Sequence, residues 1–456
     1  MTYSPPRADA AVGSNFNPGY IVDDRLFYDS SLMSEAQVQQ FVDAKEQCAA
    51  TAGNPGCLES YRESSAPRAA NAYCQAYPGG TGDLASTIIL KVARACSINP
   101  QVLLVTLQKE QGLVLSNNPS ATRYRIAMGY GCPDTAACDT KYYGFANQLY
   151  SAAWQFQRYR ANPGDYRYRA GATVAIQWHP NPACGASNVT IVNAATAGLY
   201  TYTPYQPNAA ALANIYGSGD ACSSYGNRNF FAYFTDWFGN PTITPASLSF
   251  TSALYADVLG RSASEAEKTF WGRLLMNGWT PTQVASSFIT SDEYRLIRIT
   301  SAYRTFLGRE GESGGVQNWL TLMRVGQVDV DDVGKYFMAS DEYLLAHGGT
   351  VDSFIAAEYK YQLGRDVTPG ELPFWRNIVA TQGRLAAVDG IWHSIEAARA
   401  RVTAMYRLYL DRVPDEAGVQ HWAEIAVGQG DATVRWQIIG SAEYGSRASG
   451  RFPNSR

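Results

Sequence analysis

The stretch LLVTLQKEQGL, residues 103–113, decides how the first half of the chain is read. It follows SINPQ, in which Asn99 is suited to cap a helix and Pro100 to sit at its first position, where a missing N–H costs nothing. Gly112 then provides a stop. Counting back from Glu110 by three, four and seven reaches Leu107, Thr106 and Leu103, so the carboxylate shares a stripe with leucines and is expected to face inward, away from Gln108 and Lys109. A carboxyl group held against apolar walls is disfavoured in its charged form and suited to giving up a proton near neutrality. Cleavage of a glycosidic bond needs such a donor, because the leaving sugar oxygen must be protonated as the bond breaks. The alternative is a Glu that curls out to solvent or pairs with Arg123 or Arg125.

The whole chain, 456 residues with a formal net charge of -3, is long enough for two or more domains and has no dense Lys/Arg run. Nucleic acid is therefore not an expected partner, and no apolar run reaches the length for membrane insertion. The opening MTYSPPRADAAVGSNF lacks the basic and apolar blocks of a signal peptide, so export is expected through a leader already removed or by another route. All eight cysteines lie between Cys48 and Cys222. Nearest-neighbour pairing would give Cys48–Cys57, Cys74–Cys96, Cys132–Cys138 and Cys184–Cys222, although eight cysteines allow about 105 pairings. Free or metal-binding thiols are the alternative, disfavoured by the absence of any CxxC and by histidines remote from the cysteines. An oxidising, extracellular setting is expected.

The expected organisation is an extended tail (1–20), a disulfide-containing domain (21–240), a Pro/Gly-bearing linker (241–250), a four-unit helical domain (251–447) and a C-terminal tail (448–456). The four units read LYADVLGRSASEAEKTFW, AYRTFLGREGESGGVQNW, EYKYQLGRDVTPGELPFW and MYRLYLDRVPDEAGVQHW. In each, a Tyr (Tyr255, Tyr303, Tyr359, Tyr406) precedes an Arg (Arg261, Arg309, Arg365, Arg412) by six positions, and a Trp (Trp271, Trp319, Trp375, Trp422) follows that Arg by ten. Starts 48, 56 and 47 residues apart leave room for about three short helices per unit, the grammar of a helical repeat array. The aromatics are expected to anchor the core, and the Gly-Arg step to end a helix with Arg bonding freed carbonyls.

On these Tyr, Gly-Arg and Trp positions, residues 250–447 resemble an extracellular bacterial repeat domain of unknown function. The third copy lacks the closing Glu-Tyr found in SDEY and SAEY. The resemblance implies secretion and adhesion or surface attachment, with a wall component or protein as partner. Glu110 at the end of an apolar helix, IAMGYGCP (126–133), YYGFANQLYSAAWQF (142–156) and the Tyr-rich YTYTPYQPNAAALANIYG (200–217) together resemble the lysozyme-like superfamily, nearest to lytic transglycosylases, goose-type lysozymes and glucosaminidases. That likeness covers about 85–240. Gln111 stands where transglycosylases commonly have Ser, and AMGYG matches their Gly-Leu-Met-Gln turn only loosely. Residues 15–80 resemble an N-terminal portion of secreted peptidoglycan-active or adhesin-like proteins.

The resemblance implies a mainly α fold with Glu110 as catalytic acid and peptidoglycan or another cell-wall glycan as substrate. Flat aromatic faces and amide groups are what such a strand would meet along a groove. Tyr130, Tyr143, Phe145, Gln148, Tyr202 and Tyr205 are the candidates. A second carboxylate about 5 Å away would make a retaining enzyme, and one at about 6.5–9.5 Å an inverting one. Asp134 and Asp139 are the candidates, with turn or cap roles as their alternative. Without either, the substrate's acetamido group and 6-hydroxyl could serve, leaving a 1,6-anhydro end.

Other chemistries find no support in the sequence. No His pair sits at metal-binding spacing, and His179 is the only histidine in the cysteine-bearing half. PGGTG (78–82) lacks the Lys of a phosphate loop and reads as a turn. VDVDDVG (328–334) lacks the twelfth-position Glu of a calcium loop. No cofactor or metal is expected. The expectation is a secreted or phage-delivered cell-wall glycosidase whose repeats attach it to the wall; the rival is a glycan-binding surface adhesin that does not cut.

Overall fold

The computed structural model describes residues 10–45, 48–133 and 136–453. The chain divides into two units, Met1–Ile243 and Thr244–Arg456. In the first, α1 (Asp24–Phe27) and α2 (Glu35–Asp43) precede β1 (Arg62–Ser65), β2 (Gly80–Leu84), α3 (Ala85–Cys96), α4 (Pro100–Gln111), α5 (Ala121–Arg125) and α6 (Phe145–Ala161). Strands β3 (Thr173–Gln177) and β4 (Ala186–Thr190) and helices α7 (Ala194–Tyr202), α8 (Ala209–Ala213) and α9 (Gly226–Phe238) follow. The fold is mainly α, with two antiparallel hairpins, β1–β2 and β3–β4.

Helix α4 begins and ends where its sequence dictates. The Asn99 side chain accepts from the backbone N–H of Gln101 at 2.8 Å, Pro100 occupies the first turn, and Gly112 closes the helix at φ +63°. Ser97, at φ +49°, turns the chain so that α3 and α4 lie 119° apart. Every residue of α4 from Pro100 to Gln108 is buried, and the helix packs on α3 and α9. Full burial of leucines such as Leu103, Leu104 and Leu107 stabilises the fold by roughly 1.5–3 kcal/mol each. No single helix among the described residues is long and apolar enough to cross a membrane.

Four disulfides form, Cys48–Cys57, Cys74–Cys96, Cys132–Cys138 and Cys184–Cys222, the nearest-neighbour set. Each closes a short loop and so restricts the unfolded chain.

Several boundary expectations need correction. Residues 10–20, expected within a tail, are packed: Ala11 and Phe16 are buried, and Phe16 meets Phe231 edge-on. The segment from residue 15 to 80 is not an appendage, because Ile21 donates to Thr196, Ala195 to Asp24, and Asn99 to the Phe27 carbonyl. The expected linker is helical from Pro245, where Thr244 caps the next helix. PGGTG opens strand β2 instead of forming only a turn.

The second unit contains α10 (Pro245–Leu259), α11 (Glu265–Met276), α12 (Pro281–Ile289), α13 (Asp292–Leu307), α14 (Ser313–Arg324), α15 (Val333–Met338) and α16 (Asp341–Ala346). It continues with α17 (Val351–Leu363), α18 (Leu372–Gln382), α19 (Arg384–Trp392), α20 (Ile395–Leu410), α21 (Glu416–Gln429), α22 (Asp431–Ile439) and α23 (Ala442–Arg451). The in-phase aromatics share one contact: the indole N–H donates to the tyrosine hydroxyl in Trp271–Tyr255 at 3.2 Å, Trp375–Tyr359 at 2.6 Å and Trp422–Tyr406 at 2.8 Å.

The arginine side chains bond the carbonyl of the following residue in place of the expected helix-end carbonyls. Arg261, Arg309, Arg365 and Arg412 each lie over the tyrosine of their own copy and reach a glutamate that opens a later helix: Glu293, Glu342, Glu396 and Glu443. The third copy therefore keeps its Glu, as Glu396, and lacks only the Tyr. An open stack is also not what forms, because α10 packs on α23, and Phe250, Leu254 and Tyr255 share one core with Tyr406, Ile438 and Tyr444.

Glu358 on α17 is fully buried beside Gln362 and Tyr343. Burial raises its carboxyl to about 7, partly offset by hydrogen bonding to those two neighbours. The folded chain thus holds this proton more tightly than the unfolded chain, whose carboxyl titrates near 4.5. The resulting stabilisation is complete below the unfolded value and is lost as pH rises through about 7, roughly 3 kcal/mol in all. Thermal melts of the second unit are expected to drop between pH 5 and pH 8, and Glu358→Gln to flatten that slope. Identical slopes in the two proteins would show that Glu358 does not govern it.

Candidate functional site

Glu110 lies in the last turn of α4, and its surroundings differ from those its helical stripe predicts. A helix buried all round has no outer face, so the stripe does not determine which way a late side chain points. The Glu110 side chain is 23% exposed, while that of Lys109 is 3% exposed. Their charged ends pair, and Lys109 also donates to the Thr203 hydroxyl at 2.7 Å. The partner of Glu110 is thus Lys109 and not an arginine: Arg123 donates to Ser116 and Arg125 to Thr122.

Across from the carboxylate runs the backbone at Gly129, at φ +67°, where a Cβ would stand 3.1 Å from Oε2 of Glu110. Only glycine combines that conformation with that approach. Tyr202 completes this side. Its hydroxyl donates to the Met128 carbonyl at 2.6 Å, and burial, with the Glu110 charge adding to it, holds the phenol well above its ordinary range. It stays neutral and fixes the turn against Glu110.

Gln148, expected in the groove, is fully buried on α6. Its Oε1 accepts from the N–H groups of Met128 and Tyr130 at 3.2 and 3.0 Å, and its Nε2 donates to the Tyr130 and Tyr142 carbonyls at 2.9 and 2.8 Å. Its amide is spent on backbone, so Gln148 is a positioning residue for the turn that covers Glu110. Phe145 is core, packed against Tyr61 and Tyr124.

Tyr130 and Tyr143 line adjoining hollows that share Arg68. The first, about 240 Å³, is walled by Tyr130, Tyr142, Tyr150 and Trp154. The second, about 220 Å³, has Glu63, Tyr77, Tyr143 and Asn147 on its walls. Tyr130 stands edge-on to Tyr142 and donates to Gln155 at 3.1 Å; burial, then Tyr142, pushes its hydroxyl up to about 12. Tyr205 is held through its backbone, accepting from Asn227 at 2.9 Å, and neither of these hollows includes it.

Asp139 takes the cap role that stood as its alternative. It caps a short 3₁₀ turn, accepts from the Lys141 N–H at 3.2 Å and pairs with the Lys141 ammonium, whose hydrogen bond holds its carboxyl below the usual range. Asp134 lies outside the described residues. The first-unit carboxylate that reasoning from spacing misses is Glu63, which accepts from the N–H groups of Phe145 and Ala146 at 3.0 and 2.9 Å and so anchors the start of α6. Lys109 escapes it too, although it stands beside Glu110 in the sequence.

The family model for the LasA N-terminal domain matches residues 20–250, more than half of the chain. The chain belongs to the LasA N-terminal domain family. This match replaces the resemblance to lysozyme-like enzymes, and no lysozyme-like family matches. The physical reason is that a buried helix closed by glycine, followed by Gly- and Tyr-bearing turns, is a common arrangement that many families reach independently. The LasA N-terminal domain also takes in residues 20–80, which from sequence alone look like an extension. A second model, a domain of unknown function designated DUF4214, matches residues 234–296, which hold only the first Tyr-Arg-Trp copy. No curated protein and no solved structure matches the chain. The LasA N-terminal domain and the four disulfides are together consistent with an extracellular protein.

Proposed function

We propose that the first unit cleaves a bacterial cell-wall glycan, with Glu110 as general acid, and that the second attaches the protein to its substrate. The observation that carries this reading is the setting of Glu110: a partly exposed carboxyl group with a buried ammonium behind it and bare glycine backbone across from it. The turn that brings Gly129 to Glu110 continues directly into Tyr130 and its aromatic hollow.

In the proposed step Glu110 takes up a proton from water as a sugar oxygen takes the place of Lys109, which keeps its bond to Thr203. The carboxyl proton passes to the leaving oxygen, which keeps the electron pair of the broken C–O bond. With no second carboxylate assigned, the substrate's 6-hydroxyl attacks the anomeric carbon and returns its proton to Glu110, giving an anhydro end. Water attacking in its place would give a reducing end.

Mass spectrometry of soluble fragments released from purified peptidoglycan tests this. Anhydro-ended fragments are expected. Reducing ends would keep the cleavage and replace the attacking group, whereas wall binding without any release would favour an adhesin over an enzyme.

A further inference from the structure

The second unit holds a cavity of about 490 Å³ where the end of α12, the segment before α15, the end of α19 and the α21–α22 turn meet. Its size falls in the range of about 300–1,000 Å³ found for small-molecule sites. Trp392 and Trp436 are among its walls, with Asp329, Asp431, Thr433 and Gly428. Trp392 is backed by the Arg401 guanidinium, 4.1 Å from its ring centre.

Three of the four carboxylates around this cavity are matched by cations. Asp431 pairs with Arg401 at 2.7 Å, Asp331 with Arg435 at 2.7 Å and with Arg298 at 3.1 Å, and Asp332 with Lys335 at 3.1 Å. Such pairing leaves little net charge to draw an ion into the cavity. Nor do the aspartates converge as ligands would: among the described residues no group of three or more His, Cys, Asp or Glu is arranged to hold a metal.

Polar capacity is nevertheless left over. Asp329 lies exposed on the cavity wall, and Asp431, 6% exposed, shows no surface at its Oδ1. Asp431 opens α22, a helix whose first N–H groups receive no side-chain cap. The site therefore combines indole rings, the exposed Asp329 carboxylate as acceptor, and backbone donors. We propose that this cavity binds a neutral, hydroxyl-rich ligand, a saccharide, with a ring against indole and hydroxyls exchanged with Asp329, Thr433 and the start of α22. This deepens the attachment role proposed for the second unit and uses nothing of Glu110, so either can fail without the other.

The test titrates the full chain with N-acetylglucosamine oligosaccharides of one to four sugars, and with maltotetraose beside them, followed by tryptophan fluorescence and calorimetry. Asp431→Asn would strip Arg401 of its partner and could unfold the unit, so the decisive variant is Gly428→Leu. Gly428 sits in α21 at ordinary helical φ, with open space where a Cβ would stand, and leucine suits a helix better than glycine. Saturable binding of at least one sugar is expected, weakened about tenfold or more in Gly428→Leu. No saturable sugar binding, equal binding in Gly428→Leu, or a response only to calcium or a cationic peptide would overturn the proposal.

Discussion

Glu110→Gln is expected to lower fragment release by about 10²–10⁴-fold, the usual contribution of a positioned acid. Glutamine keeps the shape of the side chain and has no carboxyl proton to give. It also cannot balance the Lys109 charge, so a loss of roughly 1–3 kcal/mol in stability should accompany it. Glu110→Asp separates the two effects. The shorter side chain keeps a charge for Lys109 but draws the carboxyl back from the reacting oxygen, so the melting temperature should recover while release stays low. Release at the native rate from folded Glu110→Gln would end the assignment of Glu110, whatever happened to stability.

A comparable effect, on folding this time, is expected at Asp331. Its carboxylate lies between Arg435 and Arg298, and both Asp331 and Arg435 are buried. Burial alone would raise its carboxyl, but the two guanidiniums overcome this and hold it below the usual value. Asp331→Ala leaves two like charges facing each other without their counterion, and breaking a buried pair in this way costs about 3–5 kcal/mol. Urea unfolding followed by the tryptophans of the second unit should show the loss as a lower midpoint. The triple replacement Asp331→Leu, Arg298→Met and Arg435→Met should recover most of it, since a packed apolar cluster avoids desolvating ions. A loss below about 1 kcal/mol in the single variant would mean that water reaches the pair.

Local grammar is well exposed in the sequence. The ends of α4 are legible because Asn99, Pro100 and Gly112 act through their own backbone, and the Tyr, Arg and Trp of the second unit are legible because they recur in register. Facing is less legible. The inward reading of Glu110 rests on a stripe that has meaning only when one side of a helix meets solvent, and α4 has no such side before its final turn. Gln148 and Phe145 look like groove residues because amide and ring suit a sugar; they suit a backbone turn and a core equally well. The family is misread for a related reason: short motifs around a helix end record local geometry, whereas the LasA N-terminal domain match draws on residues 20–250 together.

The meeting of α10 with α23 sets a rule for how the second unit can change. In an open solenoid a copy can be added or removed at small expense, because each layer covers only the next. Here the first copy finds its cover on the last, and Ser249 on α10 donates to the Phe452 carbonyl at 2.8 Å just beyond α23. Deleting or duplicating one Tyr-Arg-Trp segment is therefore expected to break the contact between α10 and α23. Variation between descendants of this unit should then appear as substitutions and loop-length changes that keep α10 against α23.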